Sequence, residues 1–292
     1  NNSEETWLMN PDGTNQRLYP LADRVLYAFK YPKSANIFYV LRDEIGQGIG
    51  IQSKNIHSGS VTDYELVKHP LPEVIEGYSI IRTQETAPDG SAFIYNVFFF
   101  EDCPPPPSGA IIREGGPCVP EEDPNTPTGY YLHTTADGQN TYLGQTVSAA
   151  RWDTTNNRLF YNRNYENTDE NQGLLEIDLA TKTKKLVDSA GKWGYAGFPF
   201  LQSDWIVRTG QSTGNISGEN SQSDLTLFNR QTNESRLILT TKFADLQPFI
   251  SIAPDESTFI YNRTARQTQD GRAVRDLYLY DVNTGQTKDL TD

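Results

Sequence analysis

The feature that most constrains this chain is that it repeats itself. APDGSAFIYN begins at residue 87 and APDESTFIYN at residue 253, and WDTTNNRLFYNR, from 152 to 163, is a more divergent third copy. Each copy is a polar turn followed by an apolar, aromatic-rich strand. A second element recurs downstream of these, a strand that enters an Asn/Gly/Thr turn and leaves through another strand. It reads GLLEIDLATKTKKLV (173 to 187), DLTLFNRQTNESRLIL (224 to 239) and DLYLYDVNTGQTKDLT (276 to 291). In the last copy Leu277, Leu279 and Asp281 face one way and Tyr278, Tyr280 and Val282 the other, which is the two-residue period of a sheet. TWLMNPDGTNQRLY (6 to 19) and GYYLHTTADGQNTYL (129 to 143) fit the same template, and TDYELVKHP (62 to 70) is a degenerate copy.

Five of these six outer hairpins are preceded by an inner hairpin, beginning near Val25, Tyr78, Val147, Phe198 and Phe249. The spacing is roughly 45 to 65 residues per unit, and a period between about 40 and 50 residues signals a propeller. The expected fold is therefore all-β, a β-propeller of four-stranded blades arranged radially. It has about six blades, five complete plus an N-terminal half-blade whose missing half lies upstream. A sandwich also predicts many short strands, but not two dissimilar hairpins in constant order. The chain of 292 residues reads as one domain. Its blades are 1–20 (partial), 21–71, 72–144, 145–189, 190–240 and 241–292.

The carrying motifs WLMNPDGTNQRL, APDGSAFIYN, APDESTFIYN and LYLYDVNTGQTKDLT resemble the TolB-like propellers, a WD-type repeat architecture, and the propeller part of dipeptidyl-peptidase-like proteins. The resemblance covers most of the chain and departs from the pattern in two places, the insertion 101–128 and the long polar stretch 210–223. It implies a platform for protein partners. The Pro-Asp-Gly turn has a local reason: Pro fixes φ, Asp accepts from the amides that follow, and Gly takes positive φ. Its meaning is structural.

Composition narrows the partner. A net charge of −13 and a pI near 4.7 exclude a phosphate-backbone partner, which draws on clustered Lys and Arg. No stretch reaches the 18 or so apolar residues of a membrane span, and NNSEETW carries none of the regions of a signal peptide, so any leader or anchor is expected upstream. The only two cysteines, Cys103 and Cys118, flank CPPPPSGAIIREGGPC. A disulfide between them would staple a Pro/Gly-rich insertion, and closing a ring of roughly 16 residues contributes about 3 kcal/mol. Disulfides persist in oxidising compartments, which places the chain in the periplasm or at the cell surface and exterior.

No catalytic constellation emerges, so a non-enzyme is expected. GQSTG (210 to 214) formally matches the G-x-S-x-G elbow, but that motif needs a helix after the Ser, and NISGENSQSD cannot supply one, so Ser212 reads as surface loop. His57, His69 and His133 each stand alone, without the clustering a metal site or an acid–base pair requires. No cofactor is expected. NYENTDENQG (164 to 173) has oxygen ligands for Ca2+ but lacks the spacing of a loop cage and reads as a solvated turn. The aromatic runs YNVFFFEDC and KWGYAGFPF read mainly as core, because both faces of a blade are covered.

Two segments are the candidates for partner contact: Trp193 and Tyr195 as aromatic anchors, and Pro105, Pro106 and Arg113 in the stapled insertion. The sequence thus points to an extracytoplasmic binding or scaffold module for a protein or cell-envelope polymer. The competing readings are a propeller segment of a larger peptidase or hydrolase, and a glycan-binding or lyase propeller.

Overall fold

In a computed structural model, the residues described are 7–8, 14–18, 25–30, 34–42, 48–67, 77–101, 129–163, 173–189, 196–213, 222–242, 250–267 and 273–291. Among them every regular element is a strand. A two-stranded ribbon, β1 (Trp7–Leu8) and β2 (Arg17–Leu18), is followed by five four-stranded sheets. The first comprises β3 (Val25–Lys30), β4 (Asn36–Arg42), β5 (Gly48–Asn55) and β6 (Val61–Asp63). The second comprises β7 (Gly77–Thr86), β8 (Ala92–Glu101), β9 (Gly129–Thr134) and β10 (Asn140–Gly144). Next come β11 (Val147–Asp153), β12 (Arg158–Arg163), β13 (Gly173–Asp178) and β14 (Lys184–Ser189). The fourth comprises β15 (Ala196–Pro199), β16 (Trp205–Thr213), β17 (Gln222–Asn229) and β18 (Ser235–Lys242). The last comprises β19 (Ile250–Ile252), β20 (Thr258–Gln267), β21 (Ala273–Asp281) and β22 (Thr287–Asp289).

Each sheet is an antiparallel meander of consecutive strands, which is the blade the repeat predicts. The fold is a β-propeller of five complete blades and one half-blade. The strands gather into two compact units, Asn1–Gln145 and Thr146–Asp292.

The second strand of each blade explains the recurring FIYN motif. Ile37 to Val40, Ala92 to Val97 and Leu159 to Asn162 are buried at consecutive positions, so both strand faces are covered by neighbouring structure. In the first unit Phe38, Val40, Phe93, Tyr95 and Tyr131 pack into one core between adjacent blades. In the second, Val207, Leu227, Phe259, Tyr261 and Tyr280 do the same. The alternation read in DLYLYDV holds: Tyr280 and Val282 are buried while Leu277 is exposed. Phe200 is buried and Phe198 packs beside it, as expected of an aromatic run in a blade.

The turn from third to fourth strand is built the same way five times. The amide four residues after Asn55, Thr134, Asp178, Asn229 or Asp281 donates to that residue's carbonyl, at 2.9 Å in each case. In four of them the side-chain Oδ1 of the opening Asn or Asp accepts two further amides, for example those of Asn283 and Thr284 on Asp281. The fifth residue takes positive φ: Gly59 (72°), Gly138 (68°), Lys182 (60°), Asn233 (59°) and Gly285 (70°).

Two local expectations change. The outer hairpin of the first complete blade is β5–β6, over 48–63, and not 62–70. The turn NIHSG opens with the Asn55 side chain accepting the amides of His57 and Ser58. That signal lies upstream of the segment whose apolar alternation imitates a hairpin. The polar stretch 210–223 is also shorter as a connection than it reads, because β16 continues to Thr213 and β17 begins at Gln222.

Candidate binding face

Strand direction fixes which connections share an end of a blade. The first-to-second and third-to-fourth turns lie at one end, and the second-to-third connections and the links between blades leave from the other.

At the turn end the backbone is tied off by hydrogen bonds. Within each blade, the residue after the third strand donates its amide to the first turn: Ile56 to Ala35, Thr135 to Ser91, Leu179 to Asn157, Arg230 to Asp204, and Val282 to Ser257. Neighbouring blades also meet here. In the first unit a Cβ on Gly90 would lie 2.7 Å from Ser34 Oγ, so the two turns pack flush. In the second unit Arg151 Nη1 donates to Pro199 O at 2.8 Å, and the Glu256 carboxylate accepts from Leu201 N, from Gln202 N (3.1 Å) and from Ser203 Oγ (3.2 Å). Burial pulls the Arg151 guanidinium below its ordinary pKa, and the nearby Glu256 and Asp153 carboxylates oppose that shift.

Side chains also clamp one blade to the next along the strands. Asn162, fully buried, donates Nδ2 to Gly197 O (2.9 Å) and accepts Gly197 N–H on Oδ1 (2.7 Å). Arg208 stacks over Phe228, 3.3 Å from the ring centroid, and forks onto Asp188, with Nε 2.7 Å from Oδ2 and Nη2 on Oδ1. In the first unit Asn140 is the knot: Oδ1 accepts Tyr95 O–H (2.9 Å) and Nδ2 donates to Glu65 O (2.9 Å). With Nδ2 so committed, Oδ1 faces His133 Nδ1 at 2.9 Å, which makes Nδ1 the protonated nitrogen. Tyr95 Oη also accepts the amide of Val67, and burial raises the phenol's pKa.

The opposite end carries the long connections. In the first unit the segments 19–24, 43–47, 68–76 and 102–128 join strand ends there, and in the second unit 164–172, 190–195, 214–221, 243–249 and 268–272 do so. By sequence they hold most of the protein's net negative charge, ten Asp or Glu against three Lys or Arg in the first unit and six against two in the second.

Every residue singled out for partner contact falls in these connections. Cys103, Pro105, Pro106, Arg113 and Cys118 belong to the link between β8 and β9, and Trp193 and Tyr195 to the link between β14 and β15. All seven lie outside the described residues, as do His69 and the stretch 164–172. Ser212 is not in a loop. Its backbone is part of β16, at a register shift between Gln211 and Thr213 opposite β17, so no strand-to-helix elbow forms. His57 is exposed in a turn and His133 is buried among Phe93 and Tyr64, far apart in role. The signals that sequence reasoning missed are Arg151, Glu256 and Asn162; the last was legible as the polar residue ending an otherwise apolar FYN strand.

No family model matches the sequence, and no curated protein matches it. Among solved structures, the β-propeller domain of the Trilobed protease from Pyrococcus furiosus is similar at 10% identity and a TM-score of 0.52, covering 94% of this chain and 72% of that one. An oligogalacturonate lyase in complex with manganese is similar at 12% identity and a TM-score of 0.51, covering 97% and 69%. A protein of Agrobacterium tumefaciens assigned as TolB aligns at 11% identity and a TM-score of 0.47, over 95% and 84%. At such identities the likeness is one of fold, and the first two show one fold serving different chemistries. Among the described residues no three His, Cys, Asp or Glu are grouped to hold a metal ion.

Proposed function

We propose that this chain is a non-catalytic binding propeller of the cell envelope or exterior, which engages a protein or envelope polymer through the connections at one end of its blades. The observation that carries this reading is that the longest connections leave the blades from one end. At the turn end of the five complete blades, amides and carbonyls are spent on internal hydrogen bonds and each turn has four or five residues. The other end receives the longest connections, 68–76 and 102–128 among them, and long loops on a rigid scaffold are where recognition concentrates. Their acidic composition favours a partner that presents basic groups, with association that weakens as salt rises. Cys103 and Cys118 support an oxidising location through the staple they would form, and no described helix is long and apolar enough to cross a membrane.

The test is capture from envelope extracts with the intact chain and with residues 104–117 deleted, alongside intact mass with and without reductant and thiol alkylation. Loss of a salt-sensitive partner on deletion, with blocked thiols before reduction, supports the reading. Capture unchanged by the deletion moves the contact off that insertion, and free thiols remove the argument for export.

A second reading, a propeller segment of a larger peptidase, is favoured by the similarity of the blades to a protease's propeller domain. A serine-hydrolase domain in the full-length gene product, with activity that this chain gates, would establish it over the first.

A further inference from the structure

APDGSAFIYN and APDESTFIYN differ at the turn's fourth residue, Gly90 in one and Glu256 in the other. Both positions need a left-handed backbone, φ 77° at Gly90 and 57° at Glu256. Gly accepts this readily, whereas a residue with a Cβ is strained there. A Glu at this position calls for a compensating contact made by its side chain, and one is present. The carboxylate, only 7% exposed, takes the amides of Leu201 and Gln202 and the hydroxyl of Ser203, and Arg151 Nη2 stands 3.7 Å from Oε1. Gln202 returns the contact by donating Nε2 to Pro254 O at 3.1 Å.

We propose that the turn between β15 and β16, together with Arg151, is a carboxylate receptor, and that Glu256 occupies it in cis as a lock joining three successive blades of the second unit. Two adjacent amides directed at one anion, with a hydroxyl and a guanidinium beside them, recognise a carboxylate by charge and by shape. The three contributors come from β11, from the β15–β16 turn and from the β19–β20 turn, so a single side chain couples blades that are separate in sequence. The sibling turn achieves the same close approach without a side chain, since the space beyond Gly90 is taken by Ser34 and Phe38. The lock is independent of the partner-binding reading and would stand if that reading failed.

Glu256→Gly empties the receptor while giving the turn its preferred residue. The full-length variant and the wild type are titrated with sodium formate against sodium chloride at matched ionic strength, reading the thermal midpoint. Expected is a lower midpoint for the variant, restored saturably by formate through preferential binding to the folded state, with the wild type unmoved because its receptor is filled. A variant as stable as the wild type, or formate acting equally on both or on neither, overturns the proposal. If Glu256→Gly does not fold, Glu256→Gln keeps the shape and removes the charge. Amide exchange at Leu201 and Gln202 is then expected to accelerate on the order of tenfold, as a charge-assisted bond is replaced by a weaker one. Unchanged exchange at both amides overturns it.

Discussion

Asn162→Ala is the substitution through which the blade-to-blade clamp can be measured most cleanly. The side chain is fully buried and bonds both the N–H and the C=O of Gly197 on the first strand of the next blade. Removing it deletes two hydrogen bonds of about 1 kcal/mol net each, and it leaves a buried donor and a buried acceptor whose desolvation costs roughly 1–3 kcal/mol apiece where water cannot enter. These terms overlap, so the expected loss is about 3 kcal/mol. For a unit of about 150 residues that lowers the thermal midpoint by roughly 6–12 °C. Asn162→Asp is the sharper control. Its carboxylate can still accept Gly197 N–H but must face Gly197 O, so at neutral pH it should cost at least as much as the alanine variant. Calorimetry or circular-dichroism melting of both variants reads the effect. A loss below about 1 kcal/mol for Asn162→Ala would mean that the amide pair is replaceable by water and that apolar packing alone joins these blades.

Three further outcomes follow from local geometry. Lys182, at φ 60°, stands where sister turns carry Gly59, Gly138 and Gly285, so Lys182→Gly should raise stability by about 1 kcal/mol, read as a higher midpoint, and a decrease would contradict the account of this turn. For the Arg208–Asp188 pair, Arg208→Ala should cost more than Asp188→Ala, because it takes the guanidinium from a carboxylate that is 7% exposed, whereas the guanidinium is 27% exposed and can reach water; equal losses would refute this. Burial works against ionisation of Asp153, but hydrogen bonds from Asn156 and Arg158 and the Arg158 charge outweigh it and hold the carboxyl below its ordinary value. Its stabilisation is then complete above the unfolded pKa of about 3.9 and lost as pH falls through the lower folded value, so melting curves of wild type and Asp153→Asn should converge at low pH, and a gap independent of pH would refute it.

Much of the fold was legible because the repeat carries its own register. The inner hairpins expected near Val25, Tyr78, Val147, Phe198 and Phe249 begin at Val25, Gly77, Val147, Ala196 and Ile250. Turn chemistry did this work: Asp281 and Asp178 open their hairpins as the Asx pattern demands. The failure at 62–70 has the same root, since Asn55 opens the true hairpin there and apolar alternation alone carries no register. The candidate site was legible only as composition. The Pro-rich insertion and the aromatic Trp193 segment announce themselves in sequence, but the end of the blade they leave from requires strand direction. Glu256 was visible as an oddity, a Glu where a sibling turn has Gly, yet its hydrogen-bond donors in the β15–β16 turn lie some 50 residues upstream and Arg151 lies farther still, and only the fold brings them together.

In the proposed function the partner meets the end bearing the longest connections. Photocrosslinking tests it directly, with p-benzoylphenylalanine placed singly at Arg113 and Tyr195, and at the exposed turn positions Ser58 and Asn283. Each variant is irradiated in envelope extract and its adducts are identified by mass. A common adduct is expected from position 113, 195 or both, and none above background from 58 and 283. Adducts confined to 58 and 283 would contradict it and place recognition on the hydrogen-bonded turns.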